Sequence, residues 1–332
     1  MRNRLLKEGL LLKDNGEVRE FGYNFKPVIA TNREKAGKLI KEWDFYQISD
    51  GKIVLQVTFG HVSYAGTIAI TLFDFEKTRY ELVLPLLFPM GKLHMEPTAA
   101  TPCTLKRSAK GFDIEITSAP GKRTIKAEVL SKKYGECKLD LSLDFPKDDD
   151  GILVVTPFVT PKQFYHNYKQ NCMPVTGNIK FGDFAYEFKP DSSFSLIDWG
   201  RGILPYRHKW WWGNGSTVID GSRFGFNIGE FGDTSNATEN CLFYNGSIHK
   251  LGDVVVKRTG GWLDPIHYAS DGRFEMTMTP VFDNFTEINM LVAHNRCHQI
   301  HGKFDGIAVL DGGETIEVKD MVAFTEFAEN RW

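Results

Sequence analysis

Phe112-Asp113-Ile114-Glu115-Ile116-Thr117 alternates apolar and polar side chains one for one. A period of two puts Phe112, Ile114 and Ile116 on one face of an extended chain and the polar residues on the other. That is the pattern of a strand half buried against a core. Similar runs lie on both sides, at 52–59, 66–75, 124–129, 137–143 and 152–158, each of strand length and rich in β-branched or aromatic residues. Asn15-Gly16, Asp50-Gly51, Asn214-Gly215, Asp220-Gly221, Asn245-Gly246 and Asp271-Gly272 punctuate the chain. Such pairs tolerate positive φ and favour tight hairpins, so neighbouring strands should pair antiparallel. Helical pattern is confined to two short stretches, 33–43 and 161–170. Nothing alternates strand with helix as a parallel sheet requires. The chain reads as all-β.

Composition narrows the function. With 332 residues the chain suits two domains, at about 150 residues each. A hydrophobic content of 42% provides a large core, and a net charge of -2 with no basic run interleaved with aromatics argues against nucleic-acid binding. The five cysteines are odd in number and show no Cys-x-x-Cys spacing, which points to free thiols and a cytoplasmic setting. No stretch approaches eighteen apolar residues, so no membrane span is expected. His294 reads as part of a turn, and His298 and His301 would face opposite sides of the strand that follows, so no metal site is expected. Neither a Gly-x-Ser-x-Gly elbow nor a phosphate loop nor a dinucleotide fingerprint is present, and no cofactor is expected.

A weak internal repeat appears when the chain is shifted by 168 residues, which lays Arg33 on Arg201, Lys41 on Lys209 and Trp43 on Trp211. It suggests two pseudo-repeated β-units, 1–175 and 176–332, joined where Pro161, Pro174 and Gly177 cluster. Asp198 then falls opposite Ala30, without an acidic counterpart, which makes the second unit the more specialised.

The candidate site lies at 198–215, Asp-Trp-Gly-Arg-Gly-Ile-Leu-Pro-Tyr-Arg-His-Lys-Trp-Trp-Trp-Gly-Asn-Gly, which holds four of the seven tryptophans. Gly200, Gly202 and Pro205 should break any ladder there, so the segment is expected to cross a barrel mouth with its rings packed together. Asp198 beside Arg201 reads either as an ion pair pinning the bend or as a carboxyl raised in pKa by a poorly hydrated aromatic wall.

The motifs Gly9-Leu-Leu-Leu-Lys-Asp-Asn-Gly16, Lys41-Glu42-Trp43-Asp44, Met173-Pro174-Val175-Thr176-Gly177 and Asp198-Trp199-Gly200-Arg201-Gly202 are similar to a bacterial family known as domain of unknown function 2804. The likeness continues through Gly225-Phe226-Asn227-Ile228-Gly229, Thr238-Glu239-Asn240 and the closing stretch from Glu326 to Arg331-Trp332. The chain departs from the family pattern at His301-Gly302 and at Ala323. The family resembles a lipocalin-like group with two antiparallel β-barrel or β-sandwich domains, among them carotenoid hydratases, tocopherol cyclases and pericyclase-type enzymes. The resemblance implies an architecture more directly than a chemistry.

On this basis Asp198, Glu239 and Tyr206 are the candidate catalytic residues. Trp199, Arg201, His208, Trp210 and Trp212 are expected to bind ligand, with Asn227 and Asn240 supplying amide groups. His61 and His208 are further candidates for carrying protons, although exposed loop histidines would look the same. The expected partner is a small apolar or amphipathic molecule. A cofactor-independent lyase, hydratase or isomerase acting on an unsaturated substrate fits, and so does a carrier of a lipid-like ligand. A β-protein with filled cores and no ligand fits less of the polar pattern.

Overall fold

The strand at the centre of the sequence pattern, Phe112–Ala119, buries Phe112, Ile114 and Ile116 and leaves the residues between them partly exposed. The structure is a computed structural model describing residues 5–62, 66–75, 79–87, 95–230, 237–289 and 294–331. The chain begins with β1 (Gly9–Leu10), β2 (Gly22–Asn24), β3 (Ile29–Ala30), β4 (Lys41–Ser49), β5 (Ile53–Val62), β6 (Gly66–Asp74) and β7 (Arg79–Leu87). Next come β8 (Cys103–Ala109), β9 (Phe112–Ala119), β10 (Lys122–Ser131), β11 (Gly135–Asp144), β12 (Ile152–Pro157), β13 (Phe164–Phe181), β14 (Phe184–Phe188) and β15 (Phe194–Ile203). The remainder is β16 (Arg207–Ile219), β17 (Ser222–Glu230), β18 (Cys241–Tyr244), β19 (Ser247–Lys250), β20 (Val255–Arg258), β21 (Ile266–Ser270), β22 (Phe274–Asn289), β23 (His294–Val309) and β24 (Thr315–Arg331). Among the described residues there is no α-helix, and none that could cross a membrane.

Apart from β1 and β3, which pair with each other in parallel, these strands build two curled antiparallel half-barrel sheets, as two lipocalin-like domains would. The first runs β7-β6-β5-β4-β15-β13-β11-β10-β9-β8, with β2, β12 and β14 attached at the side. The second runs β19-β18-β17-β16-β24-β23-β22-β21-β20. The two orders are the same scheme. A four-strand meander (β4 to β7, β16 to β19) comes first, and its opening strand pairs with the last strand of the second run (β15, β24). Each sheet wraps its own core, one around Val57, Phe59, Ile114, Ile125 and Leu141, the other around Phe224, Phe226, Phe274, Met278 and Phe304. Burying each such side chain stabilises the fold by roughly 1.5–3 kcal/mol.

Hairpins form at Asp220-Gly221 and Asn245-Gly246, where both central residues have positive φ (48° and 76°, 46° and 86°), as a two-residue type I′ turn requires. Asn214-Gly215 does not turn. It lies inside β16, paired with β17, and Asn214 is fully buried.

Two further expectations, the helical stretches and the broken ladder, fail for one reason: ladder pairing overrides local signals. The 33–43 stretch is a single 3₁₀ turn at Arg33–Lys35 followed by β4, and 161–170 runs into β13. Gly200 and Gly202 sit within the β15 ladder, so the chain breaks only across residues 204–206, between β15 and β16. Residue 175, where the sequence suggested a division, lies inside β13, and Pro174 follows the bulge at Gln170/Met173. The change of sheet falls at 204–206, and we propose that position as the boundary of the two units.

Buried amides stitch the sheets together. Asn171 and Asn214 exchange side-chain hydrogen bonds at 2.7 and 3.1 Å, and Gln56 Nε2 donates to Gln299 Oε1 at 2.8 Å.

Candidate functional site

Cross-strand rows decide what each sheet presents to the other. In the first sheet Lys169, Asp198 and Phe45 form one row, Asn167, Gly200 and Trp43 the next, and Tyr165, Gly202 and Lys41 a third. Residues in a row share a face, so alternation along β15 sends Asp198 one way and Trp199 and Arg201 the other. The second sheet repeats the arrangement. Its rows are Gln299, Glu326 and Trp212, then Cys297, Ala328 and Trp210, then Asn295, Asn330 and His208. A shift of 167 residues lays Lys41, Trp43 and Phe45 on His208, Trp210 and Trp212.

The two faces enclose a cavity of about 350 Å³. Trp43, Phe45, Tyr165, Lys169 and Asp198 line it from the first sheet, and His208, Trp210, Trp212, Asn295 and Glu326 from the second. The volume is that of a small-molecule pocket, and the few polar groups stand among aromatic rings.

Both carboxylates are held by indoles. Trp43 Nε1 donates to Asp198 Oδ1 and Trp210 Nε1 to Glu326 Oε1, each at 3.0 Å. Asp198 also accepts from Asn167 Nδ2 at 2.5 Å and faces the Lys169 ammonium at 3.7 Å. Lys169 in turn donates to both oxygens of the buried Glu239, at 2.7 and 2.8 Å, and to the Tyr165 hydroxyl at 2.8 Å. Glu326 has a neutral neighbour where Asp198 has a lysine: Gln299 Nε2 stands 3.4 Å from its Oε2. Burial pushes the Glu326 pKa up, with the Asp198 charge adding to the effect, although hydrogen bonds from Trp210, Gln299 and Cys297 oppose it. Two equivalent carboxyl groups thus stand in unequal electrostatic surroundings.

At the Lys41 end, burial draws that ammonium's pKa down to about 8 and lowers that of His61. The His61 ring lies 3.9 Å from Glu42, which is bound by Arg33 at 2.6 Å. On the other wall His208 packs between Phe158 and Trp210, and desolvation drops its pKa to about 4, leaving a neutral ring at pH 7.

The sequence-predicted residues divide between the cavity and its supports. Asp198, His208, Trp210 and Trp212 line the cavity. Trp199 and Arg201 lie on the opposite face of β15, where the guanidinium stacks 3.9 Å over the Trp199 ring. Arg201 binds Asp44 at 3.1 Å and approaches Glu42 at 3.6 Å, so the expected pair with Asp198 does not form. Tyr206 is 59% exposed in the link between sheets, where no strand neighbour can carry it inward. Asn227 does not reach the cavity, because its amide oxygen accepts from Trp212 Nε1 at 2.8 Å and from Asn214 at 3.0 Å. It holds the wall in place. Glu239 lies behind Lys169 and Tyr165, and Asn240 is spent on backbone groups, accepting from Gly229 N–H and donating to the Gly252 carbonyl.

Glu326, Lys169, Trp43 and Tyr165 were missed as site residues. The tryptophans were the available signal. Trp43 and Trp210 are the equivalent pair, and each marks the carboxylate on the strand beside it.

A solved structure shares the architecture. A protein designated a candidate AttH from Nitrosomonas europaea superposes with a TM-score of 0.51 at 12% identity, covering 88% of this chain and 92% of that one. The likeness is one of fold. CghA, solved with Sch210972, gives 0.37 at 11% identity over 97% of each chain. Kievitone hydratase from Nectria haematococca gives 0.43 at 8% identity over 88% of each chain. No curated protein matches the sequence. Residues 2–332 match the family model described as "Domain of unknown function (DUF2804)", and the chain belongs to that family.

Proposed function

We propose that the protein is a cofactor-independent hydratase, lyase or isomerase that moves protons on an apolar unsaturated small molecule held between its two sheets. Glu326 is the proton donor and Asp198 the acceptor. The observation carrying this reading is the pair itself: two carboxyl groups at equivalent positions facing one aromatic cavity, one beside a lysine and the other beside a neutral amide. Groups whose surroundings separate their proton affinities are suited to acting as acid and base in turn. The indole faces of Trp43, Trp210 and Trp212 can stabilise positive charge that develops on the substrate. Lys169, tied to Glu239 and Tyr165, fixes the charge on the Asp198 wall.

The test is proton exchange. The protein is incubated in D₂O with a panel of apolar alkenes, enones and the matching alcohols, and deuterium entering carbon is read by mass spectrometry. Wild-type protein should label or convert at least one compound, and Asp198→Asn and Glu326→Gln should each slow it by about 10²–10⁴-fold while remaining folded by circular dichroism. Binding without labelling of any compound would leave the cavity as a carrier site and overturn the enzymatic reading.

A further inference from the structure

The hydrogen-bond partners of Glu326 indicate what a ligand must bring to it. Trp210 Nε1 and Gln299 Nε2 face its two oxygens, and the Cys297 thiol also donates to it. The amide of Gln299 is oriented by its other end, where Oε1 accepts from Gln56 Nε2 at 2.8 Å and lies 3.3 Å from His301 Nε2. Burial pushes the Cys297 thiol well above its usual pKa, so it keeps its proton. Indole and amide nitrogens cannot accept a hydrogen bond, and a thiol sulfur accepts only weakly. A protonated carboxyl has one hydrogen to give, and the remaining direction is the cavity. Asp198 has the converse need. Its partners Trp43, Asn167 and Lys169 are all donors, and its cavity side is that of an acceptor.

We propose that the ligand is an aryl or alkyl ketone conjugated to a carbon–carbon double bond, or its β-hydroxy form, with the carbonyl oxygen on Glu326 and the hydroxyl or a water on Asp198. This rests on the acid–base reading of the same cavity and names its substrate class. In the hydration direction, water oxygen bonds to the β-carbon, Asp198 takes a proton from that water, and Glu326 gives its proton to the carbonyl oxygen. The double-bond electrons shift to form an enol. The enol O–H proton then returns to Glu326 while the α-carbon takes the proton from Asp198, so both carboxyl groups are restored and one water has been added.

Benzylideneacetone carrying a ¹³C carbonyl is the probe, and 1-phenylbut-1-ene is its oxygen-free counterpart. Calorimetry should show the ketone binding the wild-type protein about tenfold more tightly than the hydrocarbon, the effect of one buried hydrogen bond. The carbonyl resonance should move downfield on binding. In Glu326→Leu both the preference and the shift should vanish. In the isosteric Glu326→Gln, which retains a weaker donor and guards against misfolding of the leucine variant, the shift should shrink. In Asp198→Asn it should persist. Equal affinity for the two probes, failure of both to bind, or an unchanged shift in Glu326→Leu would overturn the proposal. Formation of 4-hydroxy-4-phenylbutan-2-one is read separately. A normal carbonyl shift with no proton exchange or product would remove the acid–base reaction and leave the carbonyl site standing.

Discussion

Asp198 and Glu326 occupy the same position in two separately hydrogen-bonded sheets. Each is ladder-paired with an aromatic residue, Phe45 or Trp212, and each receives an indole hydrogen bond of 3.0 Å. The residue across the row differs, Lys169 in one sheet and Gln299 in the other. That single difference places a cation beside one carboxyl group and none in the matching place beside the other.

Removing the Trp210 donor should shift Glu326 further. Its folded-state pKa lies above the ordinary 4.5 because of burial, so its contribution to stability is complete below that value and is lost as pH rises through the folded pKa. Trp210→Phe removes a hydrogen bond that opposes the rise, and should extend this window to higher pH. Melting curves across pH, with Glu326→Gln as the variant that lacks the dependence, measure it.

Lys169→Met leaves the Glu239 carboxylate buried without its lysine hydrogen bonds, with the Tyr165 hydroxyl still donating to it. Breaking a buried pair this way should cost about 3–5 kcal/mol, and Lys169→Met with Glu239→Gln should recover part of it. Denaturant unfolding reads the difference. A loss near zero for the single variant would show that the pair does not hold the fold.

Gly200 is required by its neighbour. A Cβ there would stand 2.1 Å from two atoms of the Trp43 ring. Gly200→Ala should push the indole off Asp198 and cost about 1–3 kcal/mol in overpacking. A changed tryptophan emission with reduced Tm is the expected signature.

Three desolvated histidines, two of them fully buried, should resist protonation. Desolvation lowers His166 and His301 to about 3 and His208 to about 4, all below the ordinary 6.5. A depressed histidine supports the fold fully above its unfolded pKa, and the support falls away as pH drops through 6.5 toward the folded values. Proton NMR should show three imidazole signals that do not titrate above about pH 5.

All five cysteines are free, with Cys137, Cys172 and Cys241 buried. Burial raises the Cys103 and Cys172 thiols to about 11 and about 12. Thiol reagents should therefore react slowly with the native protein and count five after denaturation.

The fold was legible because alternation is local. Phe112, Ile114 and Ile116 declare their face without reference to any other strand, and Asp220-Gly221 declares its turn. The site was legible only in part. Asp198 stood out by its company, whereas its indole partner lies 155 residues away and its lysine on a different strand. The internal repeat nearly supplied the rest. A shift of 168 puts Trp43 on Trp211, which turns toward the second core, whereas 167 puts it on Trp210, which faces the cavity. A slip of one residue in a strand exchanges its faces, and that slip hid Glu326. The burial of Asn227 and Arg201 gave no local sign either, because Trp212 and Asn214 for the one and Glu42 and Asp44 for the other lie on other strands.

The amides that join the sheets also bear on how the molecule comes apart. Asn171 and Asn214 each complete the other's hydrogen bonds, and neither is exposed to water. Melting the second half-barrel alone would strip the Asn171 amide of Asn214 and of the Gly215 and Phe226 carbonyls, and melting either half would break the bond between Gln56 and Gln299. The two halves therefore lose structure in one cooperative event, with a single calorimetric transition. The cavity between them keeps its shape until the whole protein gives way.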